Sequence, residues 1–219
     1  MSLERENNVR DRVLSREEFA RLMDAAPTHL KPILLIAYHT GARKGEILNL
    51  MWDRVDLKGG VIRLRPEDTK TQEGRIIPLT KELSETLKNA TIYLDEAGHR
   101  VPYVFTYAGR RIGAVRRAFE TACRQAGISG VVFHDLRHTF VTNLRRAGVD
   151  ALTAMKISGH KTMAVFKRYN TIDAADLHQA IGQMDTSMDT SAAAAEPLSP
   201  NSLKTKRAPV AQADRARDS

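Results

Sequence analysis

Residues 40–50 read Thr-Gly-Ala-Arg-Lys-Gly-Glu-Ile-Leu-Asn-Leu, and they say more about the architecture than any other part of the sequence. The apolar run before them predicts a buried helix that Gly41 ends, and Arg43 stands at the start of the next helix. Two further stretches carry candidate site residues: residues 134–139, His-Asp-Leu-Arg-His-Thr, and the pair Gly159-His160, which Tyr169 follows nine residues later. The three stretches therefore predict three helix ends that carry chemistry.

The charged residues in these stretches favour phosphate chemistry. A guanidinium group presents a planar fork that fits a phosphate, and it keeps its charge at every working pH. Arg43 and Arg137 lie on different predicted helices, so together they can neutralise the oxygens of a phosphodiester and the extra charge of its transition state. Tyr169 has Lys167 and Arg168 beside it, and basic neighbours favour the phenolate that would attack phosphorus.

The histidines allow proton transfer, and one pair of them raises the question of a metal. His134 and His160 can each hydrogen-bond a phosphate oxygen or move a proton. His134 and His138 have the spacing of a zinc helix, but the Glu of the H-E-x-x-H pattern is absent and Arg137 would place a cation beside the metal. We therefore expect no metal ion and no other cofactor, and we interpret His138 as a packed structural residue.

The apolar pattern predicts an α+β fold that is mostly helical. Ser15 and Glu18 form a capping box at the start of a first helix, and residues 33–38 predict a buried second helix. Residues 61–65 and 75–79 predict two short strands joined by a polar loop. Further helices are predicted at 80–97, 112–126, 133–147, 150–158, 162–169 and 174–184, with a short extended piece at 101–105.

Composition predicts one folded domain with polar ends. The chain has 219 residues, of which 42% are hydrophobic, and a formal net charge of +8. We expect residues 1–14 to be a polar lead, 15–184 a folded domain and 185–219 a disordered tail rich in Ser, Ala and Pro. The tail has five basic and five acidic residues, so the positive charge lies on the domain. A basic domain favours a polyanionic partner, most often nucleic acid.

Compartment signals point to the cytoplasm. Cys123 is the single cysteine, so no intramolecular disulfide can form, as is typical of a reducing compartment. The first residues are charged and lack the apolar segment of a signal peptide. The most apolar stretch, 33–37, is far shorter than the roughly 20 residues that span a bilayer. We expect a cytoplasmic protein with no membrane partner.

The three stretches resemble the three boxes of the tyrosine recombinase (phage integrase) family. Their order matches, and so do the intervals of three residues from His134 to Arg137 and 23 residues from Arg137 to His160. The resemblance covers about residues 15–184. It implies the fold of the tyrosine recombinase catalytic domain, with a small antiparallel β-sheet.

The resemblance also implies roles for individual residues. Glu46 would orient the site, and a lysine on the loop between the two strands would protonate the leaving 5′ oxygen. Arg43 and Arg137 would be the phosphate-binding arginines, and His160 a second phosphate ligand. His134 would be the general base, Lys70 the general acid and Tyr169 the nucleophile. For Lys70, a solvated loop lysine is the other interpretation.

The implied reaction is transesterification on double-stranded DNA. Tyr169 would form a 3′-phosphotyrosyl bond and release a 5′ hydroxyl, and the bond energy would be conserved without ATP. The implied assembly is a monomer when free and a tetramer on paired DNA sites. The family usually carries a further DNA-binding domain before this region, so the chain is either part of a longer protein or a stand-alone relative.

Two other functions stay open. A type IB topoisomerase-like enzyme would use the same chemistry to relax supercoils, and a non-catalytic DNA-binding module could keep the fold without the reaction. The box sequences favour a recombinase, and the intact set of site residues argues against the non-catalytic module. One departure from the family pattern is Ser158, which stands where leucine is common.

Overall fold

The computed structural model of the protein describes residues 12–90, 92–94, 98–168, 172, 174, 176–178, 181 and 182. The chain divides into two compact units, residues 1–173 and 174–219, and all six predicted catalytic residues belong to the first. The described helices of the first unit are α1 (Arg16–Ala25), α2 (Lys31–Thr40), α3 (Lys44–Leu48), α4 (Lys81–Lys88), α5 (Arg116–Gln125), α6 (Asp135–Arg146), α7 (Ala151–Ser158) and α8 (Met163–Lys167). The strands are β1 (Val55–Asp56), β2 (Val61–Leu64), β3 (Arg75–Pro78), β4 (Thr106–Tyr107) and β5 (Arg110–Arg111). The predicted α+β architecture, mostly helical with small antiparallel sheets, is confirmed.

Helix α2 forms the centre of the core. Its residues from Ile33 to Ala37 are all buried, and the helix packs against α6, α3 and α4. Burying one large aliphatic side chain contributes about 1.5–3 kcal/mol, so a helix without a polar face is stable only inside the domain. Because α2 contacts both α3 and α6, it fixes the position of Arg43 at the start of α3 relative to Arg137 on α6.

A three-stranded antiparallel sheet in the order β1-β2-β3 carries the loop with Lys70. In its register Ile62 pairs with Ile77, and Arg63 pairs with Ile76. Ile62 and Ile77 are buried whereas Ile76 is exposed, which is the alternation expected of a sheet with one face on the core. The loop between β2 and β3 is therefore held at both ends by paired strands.

One local prediction was wrong, and one hairpin was not predicted. Helix α4 ends at Lys88, not at residue 97, because Asn89, Thr91 and Ile92, which have lower helix propensities, follow it. The hairpin of β4 and β5 was not predicted. Its two-residue turn, Ala108 and Gly109, has positive φ at both positions, as a tight type I′ connection requires.

The second unit is described at only a few positions. Residues 174, 176–178, 181 and 182 are helical, which agrees with the helix predicted at 174–184. Among the helices that the structure describes in either unit, none has the length and apolar character needed to cross a membrane.

Gly41 is the helix-ending residue that the sequence predicted. It has a φ of +60° and donates its N–H to Ala37 O. An added Cβ would collide with the ring of Phe140 on α6. The position therefore needs glycine for its backbone conformation and for the close approach of α2 and α6.

Replacing Gly41 with Ala should lower the free energy of unfolding by about 2–4 kcal/mol, because left-handed strain of about 1–2 kcal/mol adds to overpacking against Phe140. Gly60→Ala is the matched control, since Gly60 has a φ of +64° but nothing within 4 Å of an added Cβ. The control should show the left-handed strain alone. Equal losses for the two variants in urea unfolding would contradict the packing role of Gly41.

Candidate active site

A buried carboxylate lies between two arginines. Glu46 on α3 is only 6% exposed. It accepts hydrogen bonds from Arg43 Nη1 at 2.9 Å and from the Arg43 backbone N–H at 2.8 Å. Arg75, the first residue of β3, donates Nη1 and Nη2 to the two carboxylate oxygens at 3.1 and 2.5 Å. This bidentate geometry is the strong form of an arginine–carboxylate pair.

The carboxyl group of Glu46 stays ionised although it is buried. Burial raises the pKa of a carboxyl group, but the hydrogen bonds and charge of Arg75, together with those of Arg43, outweigh it. The pKa of Glu46 is therefore lowered from the ordinary value of 4.5. An ionised Glu46 fixes the orientation of the Arg43 side chain.

Arg137 is almost completely enclosed. It lies in the first turn of α6 and is 2% exposed. Its Nη1 donates to Gly41 O and to Ser158 O, both at 2.6 Å. Its Nη2 lies 2.8 Å from His160 Nε2. Groups from the α2–α3 corner and from the end of α7 thus fix the guanidinium plane.

The turn at residues 158–160 joins the two arginines. Two consecutive carbonyl groups each accept a hydrogen bond from a different arginine. Ser158 O accepts from Arg137, and Gly159 O accepts from Arg43 Nη2 at 3.0 Å. Gly159 ends α7 with a φ of +73°. A Cβ there would lie 2.7 Å from Arg75 Nη1. Glycine is therefore required both by the left-handed backbone and by the close approach of Arg75.

His160 and His134 are both neutral at pH 7. Burial and the positive charges of Arg137 and Arg43 lower the pKa of His160 to about 3. Burial of the ring and the charge of Arg137 lower the pKa of His134 to about 4. As a whole residue, His134 is exposed. Neutral imidazoles can accept protons, which is the state a general base needs.

His138 is packed as predicted. It is 5% exposed on α6, and its ring centroid lies 6.3 Å from that of His134. In the part of the chain that the structure describes, no cluster of His, Cys, Asp or Glu could hold a metal ion.

The structure does not join Lys70 to the arginines. Lys70 is exposed in the loop between β2 and β3, and it makes no hydrogen bond or ion pair with the described residues. The loop itself is ordered by the buried Thr69, whose Oγ1 accepts the Glu73 N–H at 3.1 Å. Because Arg75 lies at the end of this loop and binds Glu46, the base of the loop is fixed beside the site while Lys70 stays in solvent.

Tyr169 lies outside the described residues, so its role stays a prediction. The preceding helix α8 ends at Lys167, and Arg168 caps it. An open pocket of about 650 Å³ borders Gly159 and His160 on one side and Arg75 on the other. Gly159 and His160 therefore border a space that a ligand can enter.

Sequence reasoning missed Arg75 and the contact of Ser158. Arg75 was treated only as the start of a strand, and Ser158 only as a departure from a family pattern. The signal for Arg75 was weak but present. Glu46 lies on a helix face with apolar neighbours, and a carboxylate buried there would need more positive charge than Arg43 alone supplies.

Comparisons with known proteins identify the family of the chain. The chain belongs to the phage integrase family, whose profile matches residues 12–176. It is 29% identical over 198 residues to the integrase of Salmonella phage P22, which covers 84% of this chain and 50% of that protein. It is 32% identical over 172 residues to a shufflon-specific DNA recombinase of Escherichia coli, which covers 77% of this chain and 42% of that protein. The chain thus spans about half the length of these relatives.

A solved structure supports the same fold. The crystal structure of XerA recombinase matches with a TM-score of 0.67 at 28% identity, over 78% of this chain and 65% of that one. The predicted fold, that of a tyrosine recombinase catalytic domain, is confirmed.

Replacing Arg75 with Met should lower the free energy of unfolding by about 3 kcal/mol at neutral pH, because it removes one partner of a buried charge. Glu46 has a lowered pKa when folded, so its ionised form adds stability above pH 4.5 that is lost as the pH falls through the folded pKa. In the variant the pKa of Glu46 should lie closer to 4.5. The difference in free energy of unfolding between wild type and Arg75→Met should therefore become smaller below pH 4.5.

Arg63→Met on the neighbouring strand is the control for this variant. Its side chain is 57% exposed and pairs with Asp56 at 3.4 Å, and an exposed pair contributes only about 0–1 kcal/mol. Urea unfolding at neutral and acidic pH measures both. A gap between wild type and Arg75→Met that does not change with pH would contradict the assignment to Glu46.

Proposed function

We propose that this chain is the catalytic part of a site-specific DNA recombinase or integrase, which breaks and rejoins DNA strands by transesterification. The observation that carries the proposal is the convergence of Arg43 and Arg137 on the turn that holds His160, in a chain of the phage integrase family. The printed names of two relatives, an integrase and a DNA recombinase, support it. The net charge of +8 favours double-stranded DNA as the partner.

The arginine pair would bind the scissile phosphate. Arg43 and Arg137 are held in place by carbonyl groups and by Glu46 before any substrate arrives, so they need little reorganisation to meet developing negative charge. Removing one preorganised donor of this kind costs about 10²–10³ in rate. The positive end of α6, at Arg137, adds to the attraction for an anion.

Tyr169 would be the nucleophile. Its Oη attacks phosphorus, a bond between Oη and phosphorus forms, and the bond from phosphorus to the 5′ oxygen breaks. The DNA keeps a 3′-phosphotyrosyl link to the protein and leaves a 5′ hydroxyl. A second 5′ hydroxyl then attacks the phosphotyrosine, so rejoining needs no ATP.

Two groups would move the protons. His134 is neutral at pH 7 because its pKa is lowered to about 4, so it can accept the tyrosine proton, and a bound phosphate would raise that pKa by offsetting the charge of Arg137. Lys70 would give a proton to the leaving 5′ oxygen, since a flexible ammonium on a loop can reach into the site. None of these steps requires a metal ion or another cofactor.

The proposal includes an assembly and a compartment. Free protein would be a monomer, and four copies would assemble on two paired DNA sites. The reaction would take place in the cytoplasm.

The single cysteine is buried, and its pKa is raised to about 11 by burial, so it is an unreactive thiol.

Tyr169→Phe should bind DNA as wild type does and form no covalent adduct, because it lacks the attacking oxygen. The substrate is a duplex selected for binding from a random-sequence pool and nicked beside the cleavage point, which traps the adduct for detection in SDS gels. Tyr107→Phe is the control, since Tyr107 is exposed on the β4–β5 hairpin. An adduct with Tyr169→Phe would remove that tyrosine from the role.

The same preparation separates the alternative functions. A topoisomerase-like enzyme would relax a supercoiled plasmid but would not exchange partners between two selected sites. A non-catalytic DNA-binding module would form no adduct in the wild type either. Recombination between two sites is the result that supports the proposal.

Lys70→Ala should cleave normal DNA slowly but recover most of its rate on DNA with a sulfur in the 5′ bridging position, because a thiolate leaves without a proton. The control is Lys58→Ala, an exposed lysine in the other connection of the same sheet, which should change neither rate. Slow cleavage of both substrates by Lys70→Ala would assign the acid to another residue.

A further inference from the structure

Ser158 contacts His160 in a way that the proposed catalytic roles do not use. Ser158 is the last residue of α7 and is fully buried. Its Oγ lies 2.6 Å from Ala154 O, 3.4 Å from Met155 O and 2.8 Å from His160 Nδ1. On the other side of the ring, Nε2 lies 2.8 Å from Arg137 Nη2. The imidazole thus bridges a hydroxyl and a guanidinium.

The protons in the series of hydrogen bonds that runs from Ser158 through His160 to Arg137 can be assigned from the groups at its two ends. A carbonyl oxygen can only accept, so the short contact between Ser158 Oγ and Ala154 O requires the hydroxyl to donate there. The hydroxyl has a single proton. Ser158 Oγ therefore meets His160 Nδ1 as an acceptor, and Nδ1 carries a proton.

The contact between His160 and Arg137, at the other end of this series, leads to the same tautomer. A guanidinium has donors and no acceptor, so Arg137 Nη2 must donate and His160 Nε2 must accept. A proton on Nε2 would place two donors face to face at 2.8 Å, and it would leave two lone pairs facing each other at Ser158. The ring is also neutral at pH 7, since burial and the charges of Arg137 and Arg43 lower the pKa of His160 to about 3.

We propose that Ser158 is a positioning residue that fixes the Nδ1-protonated tautomer of His160, so that Nε2 accepts from Arg137 and sets the orientation of its guanidinium. In the structure without DNA, His160 Nε2 is therefore engaged by Arg137. The effect on catalysis rests on the proposed function, whereas the tautomer itself does not.

The tautomer can be read directly by ¹⁵N NMR of the full chain without DNA at neutral pH. The signals of His160 are identified among the seven histidines by their loss in His160→Asn. We expect a protonated Nδ1 and a lone pair on Nε2. A protonated Nε2 in the wild type would overturn the proposal.

Variants at Ser158 test the positioning role. Ser158→Ala leaves Nδ1–H without its acceptor, while Arg137 still donates to Nε2. The share of the Nε2-protonated ring should therefore rise, although the Nδ1-protonated ring stays the larger. Single-turnover cleavage of the selected duplex should slow about tenfold, the effect of one hydrogen bond of ordinary strength. DNA affinity should change little. Ser158→Thr keeps the hydroxyl and should restore both the tautomer and the rate.

Thr142→Val is the matched control. Thr142 is fully buried on α6, and its Oγ1 has no hydrogen-bond partner among the described residues, so losing this hydroxyl should alter neither the spectrum nor the rate. An unchanged tautomer and rate in Ser158→Ala would overturn the proposal. If Ser158→Ala does not fold, the wild-type spectrum and Ser158→Thr decide. A wild type that forms no adduct would refute the proposed function, while the spectrum still decides the tautomer.

Discussion

Glu46 is buried between two guanidinium groups, and without them neither its charge nor its place in the core would be stable. The pair it forms with Arg75 connects α3 to β3, two elements that are far apart in the sequence. The same Arg75 packs against Gly159, and the same Glu46 orients Arg43. An isolated buried carboxylate would cost several kcal/mol, so the sheet, the α3 corner and the end of α7 are held in one arrangement by one charge.

Arg137 shows a second way to keep a charge inside a protein. Its described bonds are to two backbone carbonyl groups and a neutral imidazole, which solvate the guanidinium without cancelling its charge. Glu46 pairs with Arg43 and orients it. Two backbone carbonyl groups and the His160 ring orient Arg137. Preorganised dipoles and charges of this kind act before the reaction and need no rearrangement during it.

Local features of the site were predictable from the sequence, and long-range ones were not. Gly41 as a helix end follows from its neighbours, whereas only the resemblance to the family placed Arg137 and His160 in one site. The pairing of Arg75 with Glu46 was missed because it joins residues 29 positions apart, and no local pattern records such a contact. The β4–β5 hairpin was missed because strands of two residues have no measurable periodicity. The role of Ser158 depends on hydrogen-bond directions, which appear only when distances are known.

The two histidines differ in what a bound phosphate would do to them. Both pKa values are lowered, by burial and by neighbouring arginine charge. A phosphate between Arg43 and Arg137 would offset that charge and raise both pKa values. For His160 the increase has little effect, because Ser158 and Arg137 already engage both ring nitrogens. His134 is exposed as a whole residue, and in the proposed role it would become a stronger base only when DNA is present. In the proposed function, substrate binding itself would then activate the base, and a site without DNA would leave its tyrosine protonated.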